Sequence, residues 1–316
     1  MGTPFISHLE PTRLDGYDRT RPHDQQPARV PRTFCDAMSV REAVFVREQG
    51  VPLANEHDPD DARSCHWVTY ASVNFTTEPE RRHPTTGEVL SRRKSETRTL
   101  AIGTLRVVPF PHPPHPLPGG RYVNNVLVLV GDDEYDDEEN EKKGADGSGN
   151  GNGNGSGSGS TAPSTTTKRP RTRTLSSVDE ERQASALPFG TDRPTTYHDG
   201  KEPYVKLGRM AVIPEFRGHH IAAQLWRAAR RWLEENPAFF NPSVTQLGMD
   251  QLKVCTPGAI PKWNGLVCCH AQEGVVKLYR KWGFKVDEGM GRWYEEGIPH
   301  VGMFLRLPIQ DGTPKV

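Results

Sequence analysis

The stretch GDDEYDDEENEKKGADGSGNGNGNGSGSGSTAPSTTTKRPRTRT, residues 131–174, constrains the fold more than any other part of the chain. An acidic run, a Gly/Ser/Asn run and a basic run follow one another with almost no apolar side chain. Such a segment lacks the surface needed to offset the entropy of ordering itself. With its Pro-rich flanks, the whole of 111–200 reads as a largely disordered insertion. Only RYVNNVLVLV (Arg121–Val130) within it is apolar enough for a strand, one that would pair with an edge of the core. Residues 1–30, rich in Pro, Asp, Arg and Gln, read as a loose arm. The remaining blocks, 31–110 and 201–310, together have the size of one α/β domain interrupted once.

Within these blocks the periodicity alternates. Ser39 and Glu42 have capping-box spacing, which predicts a helix over Val40–Gln49. HWVTYASV, Thr99–Val108 and YVKLGRMAVI carry the β-branched and aromatic residues of strands, the last ended by Pro214. Ile221, Leu225, Ala228 or Ala229, Trp232 and Leu233 then recur at helical spacing up to Asn236-Pro237. LKVCT, FKVDEG and HVGMFLRL read as strands, and GVVKLYRKW as an amphipathic helix. Strands alternating with helices imply crossovers around a sheet. The pattern alone leaves open whether that sheet is doubly wound and parallel or mixed.

Charge narrows the partners. Forty basic and forty acidic residues cancel, so no global field calls for nucleic acid or an anionic membrane. No apolar run has the length of a membrane span. Five cysteines, an odd number with no CxxC pair, argue against a disulfide framework or a zinc site and for a reduced, cytoplasmic setting. Lys168, Arg169, Arg171 and Arg173 could direct the chain to the nucleus or contact a polyanion; the blander reading is solubilising charge. The acidic loop NEHDPDD fails the calcium-loop template, since Pro59 interrupts the spacing and the required glycine is missing, so no metal is expected.

The chemistry concentrates in AVIPEFRGHHIAAQL, Ala211–Leu225. A strand running through a tight turn into a helix presents unpaired N–H groups and the positive end of the helix dipole to an anion. Gly218 permits a positive φ, and Arg217 adds a fixed charge suited to phosphate. Taken alone, this pattern also suits an ordinary helix start. His219 and His220 stand where such turns favour small or basic residues; if His220 falls in the first helical turn, its φ is an ordinary helical angle and only elbow room for the phosphate is lost.

LGRMAVIPEFRGHHIAAQL resembles motif A of the GNAT superfamily of acyl-CoA N-acyltransferases, and KLYRKWGF resembles that superfamily's second signature. VREAVFVREQGVPLANEHDPDD, CHAQEG and GRWYEEGIPHVGM resemble its ElaA-like branch. The resemblance covers both ordered blocks and none of the insertion. It implies a mixed α+β fold whose mostly antiparallel central sheet splays around acyl-CoA, with helices on both faces. It also implies that the backbone of Met210, Ala211 and Val212 binds the pantetheine arm. Arg217, Gly218, His219, His220, Ile221 and Ala222 would then hold the pyrophosphate. His220 departs from the pattern, which has glycine there.

By the same resemblance Tyr279 would be the acid that protonates the departing thiolate; the blander reading is a core tyrosine against Trp282. YVKLGRMAV contains no Asp, Glu or His to serve as base, which leaves His300 and the group Glu56, Asp58, Asp61 and His66. The expected activity is N-acetyl transfer from acetyl-CoA to a small amine, such as an amino sugar or polyamine, in a ternary complex. Protein lysine acetylation and a non-catalytic acyl-CoA-binding module are the alternatives. Nothing in the sequence specifies an oligomeric state.

Overall fold

In the computed structural model, residues 4–128, 192–241 and 262–309 are described. The chain enters with β1 (Phe5–Leu9), followed by helix α1 (Arg32–Arg41) and two short helices, α2 (Leu53–Glu56) and α3 (Asp60–Arg63). A long hairpin follows, formed by β2 (Cys65–Glu78) and β5 (Lys94–Val108), with β3 (Arg81–Arg82) and β4 (Val89–Ser91) paired at its tip. Then come β6 (Arg121–Val123), β7 (Val126–Leu127), β8 (Val205–Val212), helix α4 (Ile221–Glu235) and β9 (Leu266–Gln272). Helix α5 (Val276–Lys281), β10 (Lys285–Val286), β11 (Arg292–Glu295) and β12 (Ile298–Arg306) complete the fold.

The central sheet runs β1-β2-β5-β8-β9-β12-β11-β6-β7, with β10 also on β12. Its pairs are antiparallel except β8–β9 and β11–β6. This is the mixed, mostly antiparallel α+β arrangement expected above. Strand alternation sorts side chains onto two faces. Trp67, Leu105, Val205, Leu207, Val267 and Cys269 join the main core together with Ile221, Leu225, Trp226, Ala229 and Leu233 of α4. Val68 and Tyr70 turn the other way and pack with Ala37 of α1. Helices therefore cover both faces.

Several expectations change. The loose arm is part of the fold: β1 pairs with β2 from Phe5↔Tyr70 to Leu9↔His66, and the Tyr17 ring meets Phe34 edge-on at 5.1 Å. Backbone pairing is indifferent to the polar composition that suggested an arm. The insertion boundaries also move inward. His115 and His198 are buried and hydrogen-bonded to each other at 2.8 Å, against Tyr204 and Phe304. Of the strand anticipated over Arg121–Val130, the described part, 121–128, is a hairpin turning at Asn124-Asn125 with φ of 51° and 59°, and β6 extends the sheet beside β11. Residues 131–174 and the LKVCT strand lie outside the described residues. The first helix begins at Arg32 instead of Val40, so Ser39 is interior and caps nothing; the chain then widens into a π turn, with Arg47 N–H reaching Glu42 O at 2.9 Å.

Two features of β8 shape the site. A bulge interrupts its pairing with β5 between Thr104 and Arg106, and Arg209 takes the left-handed φ of 47° there. On its other side β8 pairs with β9 only through Val205, Lys206 and Leu207. Beyond Leu207 the strands part, while β9 stays paired to β12 as far as Gln272.

Candidate active site

The parting of β8 from β9 opens a cleft of about 2010 Å³. Of the residues singled out from sequence, Met210, Ala211, Val212, Arg217, Gly218, His220, Ile221, Ala222, Tyr279 and His300 all line it. His219 is exposed and does not.

One mouth of the cleft is the turn into α4. Ile213 donates its N–H to Ile102 O at 3.0 Å across the sheet. The preceding residue, Val212, therefore directs its N–H and C=O to the opposite side, away from β5. N–H groups from Gly218 to Ala223 make no hydrogen bond to the described residues, and no side chain caps the helix. Gly218 has φ 81°, and a Cβ placed there would meet nothing within 4 Å. Open donors, room and the helix dipole together fit a pyrophosphate.

The histidine reading needs correction at this point. His220 is the residue before the helix, with φ 59° and ψ 19°, so it occupies the left-handed region and not an ordinary helical turn. Glycine would suit this position for conformational reasons after all. Arg217 is also already engaged. Its Nε donates to Val212 O at 2.9 Å, and its Nη atoms grip the Glu48 carboxylate at 2.7 and 2.5 Å. That fork holds Glu48 below the usual carboxylate range and raises the guanidinium.

Tyr279 on α5 reaches the cleft from the α4 side of the sheet. It lies edge-on to Trp282 and Phe284, at 5.3 and 5.5 Å, so it is a packed tyrosine as well as a cleft residue. Its hydroxyl makes no hydrogen bond to the described residues. Burial pushes its phenol far up, which keeps the proton on oxygen at neutral pH.

The opposite face carries a different set. Alternation along β8, β9 and β12 places Lys206, His270, Gln272 and His300 there, with Gln272 opposite His300 in register. His300 donates from Nδ1 to Ile298 O at 2.8 Å, because a carbonyl can only accept, which leaves Nε2 as the ring nitrogen without a partner among the described residues. His270 Nδ1 meets Glu295 Oε1 at 2.8 Å, and the same oxygen accepts from Trp293 Nε1 at 2.8 Å. Burial, with Lys206 second, holds His270 down at about 4. Burial alone would raise Glu295, yet the adjoining His270 and Lys206 hold it well below the carboxylate range.

The acidic loop is spent on structure. Arg41 binds Glu56 at 2.5 Å and Asp61 at 2.6 Å; Arg106 binds Asp58 at 2.6 Å and Asp61 at 2.7 Å; Arg209 reaches Asp58 at 3.0 Å. Burial opposes ionisation of Asp61, but Arg41 and Arg106 overcome it and keep it well below the carboxylate range. A carboxylate so stabilised is a poor base. His66 is buried, hydrogen-bonded to Asp61 O at 2.8 Å and absent from the cleft wall. The network instead anchors Arg209 at the bulge.

Sequence reasoning assigned no role to His270, Glu295, Lys206, Glu48 or Arg106. The alternation in LVCCHAQ was the available signal for His270, but the run was not read as a strand. Among the described residues no group of His, Cys, Asp and Glu has the geometry of a metal site, and no helix is long and apolar enough to cross a membrane.

No family model and no curated protein matches the chain. Among solved structures, a candidate N-acetyltransferase from Lactobacillus plantarum is similar at 15% identity over 97% of this chain and 99% of that one, with a TM-score of 0.39. ElaA of Escherichia coli is 14% identical over 96% and 99%, with a TM-score of 0.35. An acyl-CoA N-acyltransferase from Pseudomonas aeruginosa is 13% identical over 96% and 99%, with a TM-score of 0.37.

Proposed function

We propose that this protein is an acyl-CoA-dependent N-acyltransferase, with acetyl-CoA as cosubstrate and a small amine as acceptor. One observation carries the reading: the cleft passes between two parted strands, with unpartnered helix N–H groups and a protonated tyrosine on one side and the imidazoles of His270 and His300 on the other. A thioester arm laid along Val212 would bring its carbonyl to the gap, where the Val212 N–H can polarise it. Tyr279 then supplies a proton to the departing sulfur. The amine approaches from the His270–His300 face, where His300 is the base expected from sequence.

Thiol release from acetyl-CoA with a broad panel of amines tests the proposal. A folded protein that neither binds acetyl-CoA by calorimetry nor releases thiol with any of them would refute it. Tyr279→Phe should lower kcat by about 10²-fold or more, the usual scale for losing a general acid, with acetyl-CoA affinity unchanged. Loss of affinity without loss of turnover would remove Tyr279 from the chemistry.

A further inference from the structure

Two imidazoles share the acceptor face, and the structure distinguishes them. A general base must remove a proton from the attacking nitrogen and carry positive charge as the transition state forms. What stands behind the ring decides how well that charge is tolerated. His300 is backed by the Ile298 carbonyl, a neutral acceptor. His270 is backed by the Glu295 carboxylate, and Trp293 Nε1 fixes that carboxylate by donating to the same oxygen. The Trp293 ring also packs edge-on against His270, with centroids 4.8 Å apart. Ring, carboxylate and indole thus form one unit on β9 and β11, the indole buried and the other two half-buried, whose orientation is set from behind.

With Nδ1 committed to Glu295, the nitrogen left for the cleft is Nε2, which makes no hydrogen bond to the described residues. Lys206 on β8 and His300 on β12 are the other titratable groups facing this ring from the neighbouring strands. Burial and Lys206 lower His270, which leaves the ring neutral but weakens it as a base; the Glu295 carboxylate acts the other way, raising it through its charge and its hydrogen bond and offsetting the positive charge the ring would take up with a proton.

We propose that His270, oriented and counterbalanced by Glu295, is the general base for the acceptor amine; this rests on the N-acyltransferase reading. The nitrogen–carbon bond forms as the carbon–sulfur bond breaks. The nitrogen's proton passes to His270 Nε2, the sulfur takes the proton of Tyr279, and solvent returns the first proton to the phenolate. Glu295 is a positioning residue, since it touches the imidazole and not the substrate.

The test uses the full chain and the best amine found in the thiol-release panel. His270→Ala should lower kcat by about 10²- to 10⁴-fold, with acetyl-CoA affinity by calorimetry unchanged. Added imidazole should restore part of the rate, which a packing defect would not allow. Glu295→Gln should lower kcat by a smaller factor, and His300→Gln should lose less than His270→Ala. Independently of activity, proton NMR of the wild type should show a strongly downfield Nδ1 proton that disappears in Glu295→Gln. Wild-type turnover with an unaffected His270→Ala, or with His300→Gln the more damaging change, would overturn the assignment while leaving the acyltransferase reading intact. Absence of wild-type turnover with every amine would refute that reading itself, even if the downfield proton is present.

Discussion

Replacing His220 with glycine should make the protein more stable. The residue sits just before α4 at φ 59° and ψ 19°, with its side chain exposed and without a hydrogen bond to the helix. An L-residue in the left-handed region costs about 1–2 kcal/mol from the approach of Cβ to its own backbone. Glycine removes that term but gives the unfolded chain more freedom, which takes back about 0.5–1 kcal/mol. No buried contact is lost, so the difference leaves a gain of about 0.5–1 kcal/mol. For a domain of this size that corresponds to a rise in Tm of about 1–4 °C. His220→Ala is the control: it removes the same imidazole but keeps Cβ, so it should give no rise. Because the backbone already has the angle glycine would choose, the free N–H groups stay aimed as before. Acetyl-CoA affinity should then change by less than about threefold, under ~0.7 kcal/mol. Thermal melts of the three proteins, with calorimetry on each, decide the matter. Equal melting temperatures for the glycine and alanine variants would refute the argument from backbone strain.

Other perturbations reach different parts of the structure. Glu48→Gln leaves the Arg217 guanidinium without its carboxylate partner and should tighten acetyl-CoA binding severalfold at low salt, an effect that fades as salt screens the charge; weaker binding in calorimetry would show that the pair organises the turn instead of competing for it. Asp61→Asn removes the buried partner of both Arg41 and Arg106 and should cost about 3–5 kcal/mol, read from urea unfolding; a loss below about 1 kcal/mol, typical of exposed pairs, would contradict the network described here. Acid should weaken the fold through His66, whose buried imidazole titrates at about 4 instead of 6.5. The unfolded chain binds that proton first, so this contribution is complete above pH 6.5 and is lost as pH falls toward 4, by about 2 kcal/mol between pH 7 and pH 5. His66→Gln should flatten that part of the stability–pH curve, and an unchanged slope would remove His66 as its cause.

Strand β8 and helix α4, which packs against the same core, were legible because their periodicity is strong. Val205–Val212 alternates as a strand and Ile221–Leu233 recurs as a helix, so the strand-turn-helix unit, its glycine and its anion-binding character follow from local rules. Tyr279 was found by resemblance and His300 as a candidate base once YVKLGRMAV offered none, and both line the cleft. Local rules failed where pairing partners were remote. Phe5–Leu9 is a five-residue run beside polar, Pro-containing sequence and does not alternate clearly, and it becomes a strand because β2 offers it an edge. Ser39 and Glu42 match a cap that a helix starting seven residues earlier makes irrelevant.

By itself the sequence determined the alternation of strands and helices, the Gly218 turn and the supply of imidazoles, because each depends on neighbours a few positions apart. Tertiary structure alone decided three things. It parted β8 from β9 after Leu207, because β9 follows β12 and β8 follows β5. It paired Glu56, Asp58 and Asp61 with arginines from three separate elements, which ties the acidic loop to the bulge in β8. And it set Glu295 behind His270, joining residues 25 positions apart through a hydrogen bond that neither local segment could specify. Charge pairing in a buried site depends on which strands become neighbours, and that is a property of the sheet and not of any stretch of the chain.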